Sequence, residues 1–506
     1  MSTTRTTGEA VEAPAGPGAR PWLALVVLLI GQFMGLLDSF IVNVAMPSIG
    51  VGLHASGSSL QLVVGGYTLA YAMLLITGAR LGDLYGRRRM YLVGAIVFTL
   101  ASLICGFAPD IAVLVVFRFV QGAGAAVMVP QIFSVIQMLF TGKARTKALS
   151  VYGAVLSSGA VFGLVVGGAV VSANLFGSTW RPVFLINVPL GLGLVLLVPR
   201  FVPADEPRST RRLDMRGLAV ATLTVFLLVL PLILGHETGW PLWTYLSIAA
   251  GLVLAVVFVR VEQRVSAGGG DPLLALDVLR SPGIAAGIGV LACMALTYGG
   301  LLFVFTLHLQ TGLGYSALRT GLIYVPFSGF TGLAAYYWRK IPERVHYLVS
   351  PVALATCTIG YLCLAVAMHG GGDGGALMWV GLVISGLGQG LTLSPVVAQS
   401  LTKVPLTRAA DASGLLTTTL QLGSVTGIAI FGTVFLSLDH NAGTGTVTSA
   451  ANVSASAVSN TLAYGLAIVA AVGIIPGAAL ARTVLGARRE AAEAESKEVA
   501  VEPSAA

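Results

Sequence analysis

Residues 78–89 read Gly-Ala-Arg-Leu-Gly-Asp-Leu-Tyr-Gly-Arg-Arg-Arg and join two apolar runs, 60–79 and 90–108. Each run is long enough to cross the hydrocarbon core of a membrane as a helix. The three consecutive arginines fit a short loop on the cytoplasmic side, where basic residues accumulate. Their combination with Asp83 and Gly86 is more specific than a topology signal alone. This stretch therefore predicts two membrane helices joined by a cytoplasmic loop.

Apolar runs of spanning length extend along the chain in both directions from this loop. Of the 506 residues, 56% are hydrophobic and 10% are charged, against roughly 25% charged in a soluble domain. The runs lack the ten-residue alternation of barrel strands, so we predict an all-α polytopic membrane protein. Its fourteen predicted helices are 22–46, 60–79, 90–108, 111–138, 148–172, 183–201, 217–235, 242–261, 283–308, 320–336, 346–368, 376–399, 412–437 and 460–481.

The distribution of basic residues predicts the orientation. With the N-terminus inside, 26 of the 29 Lys and Arg residues fall in cytoplasmic segments, while the outside loops hold only Arg181 and Arg319. This alternation persists to the last helix, so both termini are expected on the cytoplasmic side. The net charge of +8 then reflects membrane orientation, and no nucleic-acid partner is expected. Residues 1–20 lack the apolar core of a signal peptide, so the first run should be retained.

The arrangement of the runs predicts two bundles separated by an insertion. The expected segments are a cytoplasmic tail (1–21), a six-helix bundle (22–201), a linker with a two-helix hairpin (202–282; helices 217–235 and 242–261), a second six-helix bundle (283–482) and a disordered cytoplasmic tail (483–506). Weak internal similarity links the two bundles. Gln121-Gly122-Ala123-Gly124 precedes Pro130, and Gly386-Leu387-Gly388-Gln389-Gly390 precedes Pro395.

Two charges lie inside apolar runs, Asp38 and Arg118. A carboxylate at such depth costs about 2.5–3.5 kcal/mol on insertion scales, so it should face the bundle interior. At 1.5 Å per residue, Asp38 lies roughly 13 Å and Arg118 roughly 11 Å from the outer surface. We expect the two side chains to interact directly or through water. Such a pair suits proton coupling, or it serves only to hold helices together.

Small residues mark the fifth run. Gly159, Gly163 and Gly167 recur every fourth residue and are followed by Gly168. This spacing places three glycines on one stripe and permits close helix packing. Close packing alone is one interpretation of the stripe, and a pliable contact between the two bundles is the functional one.

His308 stands near the outer end of the ninth run. It is expected either to relay protons near neutral pH or to be an interfacial polar residue.

Several motifs together resemble the fourteen-span drug:proton antiporters of the major facilitator superfamily. They cover residues 22–482 and are the helix 2–3 loop from Asp83 to Arg88, the helix 4 segment Arg118–Gly124, the helix 1 segment Asp38–Pro47, the helix 6 residues Trp180, Arg181, Pro182, Phe184, Asn187, Pro189 and Gly191, and Gln310, Gly314, Tyr315, Pro326, Gly414, Gln421 and Gly423.

The resemblance implies a rocker-switch carrier in a bacterial-type cell membrane. Two six-helix bundles would enclose a cavity that opens alternately to each side. Asp38 and Arg118 would couple protonation to substrate movement, and Gly159, Gly163, Gly167 and Gly168 would form a helix-5 hinge. The gating loop would contain Asp83, Gly86, Arg87 and Arg88, and the substrate cavity Asn43, Tyr67, Gln121, His308, Gln310 and Gln421.

The sequence departs from this family at several positions. Leu164 stands where the helix 5 antiporter motif usually has proline, so that helix should be straighter. Ala79 replaces a usual glycine and Leu420 a common arginine, and the second loop copy near Arg339 to Arg344 is degenerate, with no acidic residue matching Asp83. A facilitator or proton symporter of the same fold therefore stays open beside antiport.

The leading expectation is proton-driven export of a hydrophobic small molecule by a monomer. The sequence has no nucleotide-binding P-loop and no metal or catalytic cluster in the spans, so no cofactor is expected and the protein should not be an enzyme. A non-transporting membrane sensor is the other class considered. Because Asp38 is the only acidic residue deep in a run, the substrate should be neutral, weakly acidic or monocationic.

Overall fold

The computed structural model describes residues 21–174, 177–204, 215–235, 238–268, 276–369, 375–402, 404, 408–440, 457 and 460–486. Helices are the only regular secondary structure in these ranges. They are α1 (Pro21–Leu53), α2 (Gly57–Tyr85), α3 (Arg87–Gly106), α4 (Ile111–Leu139), α5 (Gly142–Ala173), α6 (Pro182–Leu185), α7 (Asn187–Phe201), α8 (Met215–Leu234), α9 (Leu242–Ala267), α10 (Ile284–Leu307), α11 (Ala317–Tyr337), α12 (His346–Met368), α13 (Gly375–Leu401), α14 (Ala409–His440) and α15 (Ala467–Gly486).

Every predicted apolar run lies on helical residues of this structure. Among the described residues, twelve helical segments are long and apolar enough to cross a membrane, with α6 and α7 forming one of them as Pro182–Phe201. The two remaining runs lie on α5, whose Val161–Ala173 is a shorter apolar stretch, and on α11. The predicted tails lie outside the described residues except for Pro21 and 483–486.

The loop between the second and third runs is shorter than predicted. Helix α2 continues to Tyr85 and α3 begins at Arg87, so Gly86 alone separates them. Gly86 has φ 91°, a conformation that glycine adopts without a Cβ clash. The polar residues 80–85 extend the helix instead of forming a loop, because a helix need not end where its apolar run ends.

The two halves, α1–α7 and α10–α15, repeat the same backbone contacts. Gly122 of α4 lies against the Tyr67 carbonyl of α2, and Gly124 lies against α3, where an added Cβ would be 2.7 Å from the Phe98 nitrogen. In the second half, Gly386 of α13 lies against a carbonyl of α11, and Gly388 would place a Cβ 2.6 Å from the Cys357 nitrogen of α12. These matching contacts support the internal similarity that the sequence indicated.

The halves contact each other at the face of the bundle where α1 ends and α2 begins, which we call the α1–α2 face. The Gln310 side chain donates to the Val44 carbonyl at 2.9 Å. The backbone N–H of Leu318 donates to the Ser172 hydroxyl at 3.0 Å. Both bonds join one half to the other, so this face is closed by direct contact between them.

The inserted helix α8 contacts both halves. Ser58 of α2 donates to the Ile233 carbonyl at 2.7 Å, and Thr433 of α14 donates to the Leu232 carbonyl at 3.0 Å. The last four carbonyls of a helix have no partner within the helix, and these hydroxyls satisfy two of them. Helix α8 therefore lies over the seam between α2 and α14.

The glycine stripe of α5 mostly packs inside one half, which corrects the predicted contact between bundles. Added Cβ atoms at Gly159, Gly163 and Gly167 would lie 2.6–2.7 Å from Leu36, Phe40 and Ile41 of α1. Gly168 instead faces Ala317 and Leu318 of α11 in the other half. Periodicity showed the stripe, but the neighbour it meets depends on the tertiary arrangement.

Substituting the buried glycines tests the repeated packing. Gly124→Val and Gly388→Val should each lower the free energy of unfolding by about 1–3 kcal/mol, since extra methyl groups overpack a tight helix contact. Denaturant unfolding of the purified protein in detergent measures the effect. Gly153→Val and Gly193→Val are matched controls, because nothing lies within 4 Å of a Cβ at either position. Equal stability of all four variants would contradict the packing described here.

Candidate functional site: a buried ion pair

Asp38 of α1 and Arg118 of α4 meet in the interior of the first half. Both side chains have 0% exposure, and Arg118 Nη1 pairs with Asp38 Oδ2. The contact predicted from their similar depth is therefore confirmed, and it is direct. The attraction within an ion pair excluded from water offsets the lost hydration only when the geometry is good and further hydrogen bonds are made.

Three further groups hold the arginine. Arg118 Nε donates to the Val63 carbonyl of α2 at 2.9 Å, and Nη1 also donates to Gln121 Oε1 at 2.8 Å. The guanidinium carbon lies 4.6 Å from the ring centre of Tyr67, a cation–π geometry. Among the described residues, Arg118 Nη2 has no hydrogen-bond partner.

Two amides hold the other carboxylate oxygen. Asp38 Oδ1 accepts from Gln121 Nε2 at 2.7 Å and from Asn187 Nδ2 at 2.9 Å. Both amides also donate to the hydroxyl oxygen of Ser102, Gln121 by a short bond and Asn187 at 3.1 Å. The carboxylate is thus surrounded by N–H donors from α4 and α7.

Five helices contribute to this network, and sequence reasoning found only part of it. Ser102 of α3 carried no signal, because a serine in an apolar run has many roles. Asn187 of α7 belonged to the helix 6 segment quoted above, but nothing in its spacing linked it to Asp38. The Val63 carbonyl is a backbone group, and its accessibility follows from helix packing alone.

The network has one group that can change charge by binding a proton. A carboxylate can accept a proton, whereas arginine stays protonated at any ordinary pH. Protonation of Asp38 would cancel its attraction to Arg118 in a region of low dielectric, where charge interactions are strong. The attraction between these two charges contributes to the contact between α1 and α4.

The predicted cavity residues occupy different environments. Tyr67 is buried and its hydroxyl donates to the Gly35 carbonyl at 3.3 Å. Asn43 is also buried and its amide donates to the Ser39 carbonyl of its own helix at 3.1 Å. Gln121 and His308 have 0% exposure, so none of these four lines an open cavity in this conformation.

The other two predicted cavity residues lie elsewhere. Gln310 bonds across the closed α1–α2 face, and Gln421 is half-buried on α14. Their assignment to a substrate cavity stays a prediction.

The predicted gating loop forms contacts within the first half. Asp83 and Arg87 form an ion pair at 3.0 Å, and Asp83 is 48% exposed. Arg88 donates to the Val202 carbonyl at 3.2 Å, beyond the end of α7. These bonds fix α2, α3 and α7 relative to one another around Gly86.

The described residues contain no group of three or more His, Cys, Asp or Glu side chains placed to hold a metal ion.

A bundle of membrane-spanning helices in two similar halves, with a protonatable ion pair inside one of them, defines the class of multi-pass membrane carriers. Residues 28–428 match the Major Facilitator Superfamily. The chain belongs to this family and is a multi-pass transporter of the cell membrane.

Two relatives are named for transport or export of a particular compound. The probable actinorhodin transporter of Streptomyces coelicolor is 37% identical over 83% of this chain and 74% of its own length. The cephamycin export protein CmcT of Amycolatopsis lactamdurans is 35% identical over 81% of this chain and 84% of its own length.

Solved structures agree on the fold. A bacterial homologue of the human lysosomal transporter Spinster, in an inward-facing and unoccupied conformation, superposes with a TM-score of 0.63 and 16% identity. The match covers 94% of this chain and 99% of the other. At this identity the likeness supports the fold alone.

Removing one member of the ion pair should make stability depend on pH. In Arg118→Met the buried carboxylate loses its counter-charge, which costs about 3–5 kcal/mol while Asp38 stays ionised. Protonation of Asp38 would relieve this cost, so the loss of stability should become smaller as the pH is lowered. Thermal unfolding of the variant at a series of pH values measures it.

The double variant Asp38→Asn/Arg118→Met is the control, because it has no buried charge to titrate. It should lose the additional pH dependence. An Arg118→Met protein whose destabilisation is the same at every pH would contradict a buried, titratable Asp38.

Proposed function

We propose that this protein exports hydrophobic small molecules, such as drugs or antibiotics, in exchange for protons. The observation that carries the proposal is the fully buried Asp38–Arg118 pair. An ionisable group inside a membrane bundle is expensive and usually marks an ion or substrate pathway. The names of the two relatives, a probable actinorhodin transporter and a cephamycin export protein, support this class of substrate.

Alternating access would link this pair to movement of the halves. In the present conformation the halves contact each other at the α1–α2 face. Proton binding to Asp38 would weaken the hold of Arg118, which is also bonded to Val63 of α2. Helix α2 in turn packs along α14 of the other half, where Gly65 faces Val425. A change at the ion pair would therefore reach the seam between halves through one helix.

The same proposal includes fourteen crossings with both termini in the cytoplasm. The basic residues favour a cytoplasmic position for the α2–α3 turn at Gly86. Helices α5 and α11, the two outside the twelve apolar segments, pack against each other, and Gly321 of α11 faces the Leu164 carbonyl. A helix packed between others can span with less apolar surface than one facing lipid.

The number of buried carboxylates limits the charge that the substrate can carry. Two acidic residues of the described helices are fully buried, Asp38 and Glu262. Glu262 lies near the end of α9, in the inserted hairpin. One carboxylate per transport pathway suits a neutral, weakly acidic or monocationic substrate.

A drug-susceptibility panel in an efflux-deficient host, with and without the protein, tests this bound. Resistance should appear to neutral, weakly acidic or monocationic compounds and not to dications, because a single carboxylate cannot balance two charges. Expression of Asp38→Asn is the control. Strong resistance to dications that survives this substitution would contradict the proposed substrate class.

Asp38→Asn should abolish transport driven by an imposed pH gradient in proteoliposomes. The amide keeps the shape of the side chain but cannot bind or release a proton at Asp38. A substrate identified in the susceptibility panel serves as the probe, and its flux across the liposome membrane is measured. Asp110→Asn is a matched control, because Asp110 only caps α4 by accepting from the Val113 N–H at 2.9 Å. Unchanged proton-driven flux in Asp38→Asn would remove Asp38 from the mechanism.

A facilitator or proton symporter of the same fold is the second candidate. Leu164 favours it, since α5 is one continuous helix through this position where antiporters usually have proline. The direction of proton movement during transport separates the two. Protons move against the substrate in an antiporter, with it in a symporter, and not at all in a facilitator.

A further inference from the structure

Asn187 follows Ile186, where the regular hydrogen bonding of the sixth predicted span is interrupted although the backbone dihedral angles stay helical. Helix α6 ends at Leu185 and α7 begins at Asn187. Pro189 has no N–H to donate to the carbonyl four residues earlier, and its ring disfavours a regular helix there. The asparagine that bonds to Asp38 is therefore the first residue after the interruption, where the backbone has fewer helical bonds to hold it.

The side-chain amide of Asn187 is hydrogen-bonded through its nitrogen but not through its oxygen. Its Nδ2 donates to Asp38 Oδ1 at 2.9 Å and to Ser102 Oγ at 3.1 Å. Its Oδ1 has no hydrogen-bond partner among the described residues, although the side chain has 0% exposure. A buried acceptor without a partner is costly, so this carbonyl requires an explanation.

Gln121, the other amide on Asp38, has no such spare group. Its Nε2 donates to Asp38 at 2.7 Å, and its Oε1 accepts from Arg118 at 2.8 Å. Arg118 can only donate, so it fixes the orientation of the Gln121 amide. Of the two amides on the carboxylate, Asn187 alone keeps an unbonded carbonyl.

We propose that Asn187 is a positioning residue that follows the protonation state of Asp38. Its N–H group holds the carboxylate, and after a half-turn of the amide its carbonyl accepts a hydrogen bond from the protonated carboxyl. In the second orientation the Ser102 hydroxyl can also donate to this carbonyl, which has two lone pairs. Both states of Asp38 are then hydrogen-bonded, and the exchange occurs beside the break between α6 and α7. The inference rests on the proposed proton coupling of export.

The other groups facing Asp38 do not offer this exchange. The charged or titratable side chains that feel its charge are Arg118 of α4, Tyr67 of α2 and Cys105 of α3. The Tyr67 hydroxyl is bonded to the Gly35 carbonyl, and the Cys105 thiol faces the Leu114 carbonyl at 4.0 Å. From α7 the group facing Asp38 is the uncharged amide of Asn187.

Asn187→Leu and Asn187→Ala test the proposal in two measurements. The first is the pH profile of gradient-driven transport in proteoliposomes. Both substitutions remove the N–H donor to the charged form of Asp38 and the carbonyl acceptor of its protonated form. The bond to the charged form is the stronger of the two, so the carboxyl keeps its proton to higher pH. The pH of half-maximal transport should rise by about one unit, a tenfold change in proton affinity. Asn187→Ser, whose hydroxyl donates and accepts, should restore a midpoint near that of the unsubstituted protein.

The second measurement is a pH-difference infrared spectrum, in which the band of protonated Asp38 is identified by its absence in Asp38→Asn. In Asn187→Leu and Asn187→Ala this band should move to higher wavenumber, because the carboxyl has lost its acceptor. Thr99→Val is the matched control. It lies in the same contact between α3 and α7, beside Gly191, but its hydroxyl bonds to the Ala95 carbonyl of its own helix at 2.6 Å. It should change neither readout.

The outcomes separate this inference from the proposed function. An unshifted infrared band in both Asn187 variants would overturn the inference, as would an unshifted transport midpoint. If the unsubstituted protein shows no proton-driven transport, the proposed function fails, and the infrared titration still decides the role of Asn187. Should leucine prevent folding, the smaller alanine variant decides the same question.

Discussion

The structure depends on one ion pair, Asp38 with Arg118, that is excluded from water. Removing a carboxylate and a guanidinium from water costs several kcal/mol for each ion, and their attraction offsets this only when the surrounding groups are also bonded. Here the pair and the groups around it come from five helices, with Asp38 on α1, Arg118 and Gln121 on α4, Asn187 on α7, Ser102 on α3 and the Val63 carbonyl on α2. Such a shell forms only if α4 packs closely on α2 and α3. Gly122 and Gly124 permit that approach, because any Cβ there would meet neighbouring backbone. The small residues and the charged site are therefore parts of one arrangement.

The second half has the same helix packing as the first half but no charged residue at the position that corresponds to Arg118. The residue offset that relates Gly122 to Gly386 and Gly124 to Gly388 also relates Arg118 to Leu382, which is fully buried. It relates Gln121 to Ser385, whose hydroxyl donates to the Gly381 carbonyl of its own helix. The glycine contacts recur while the polar network does not. Helix packing is thus common to both halves, and the protonatable site is an addition to one of them.

The features that depend on local sequence pattern could be predicted from the sequence, whereas those that depend on helix packing could not. All fourteen apolar runs lie on helices, because lipid requires long apolar segments with internally bonded backbones. The contact of Asp38 with Arg118 was predictable from depth, since two isolated opposite charges in one bundle have few other partners. Asn187 was not assigned to them, because the break before it and the rotation of α7 are set by tertiary contacts. The same limit explains the α5 glycines, whose period is visible but whose neighbour, α1, is not.

The inserted hairpin is part of the contact between halves and not an appendage to one of them. The carbonyls of Leu232 and Ile233, adjacent in α8, are bonded to Thr433 of α14 and Ser58 of α2. Both carbonyls belong to the last turn of α8, where a helix has no internal donors to offer. Helix α2 also supplies the Val63 carbonyl to Arg118. If α2 and α14 separate at this face, at least one of the two bonds to α8 must break. If α2 moves, the Val63 carbonyl moves with it, which changes the hydrogen bond to Arg118. The hairpin and the buried ion pair are thus both hydrogen-bonded to α2.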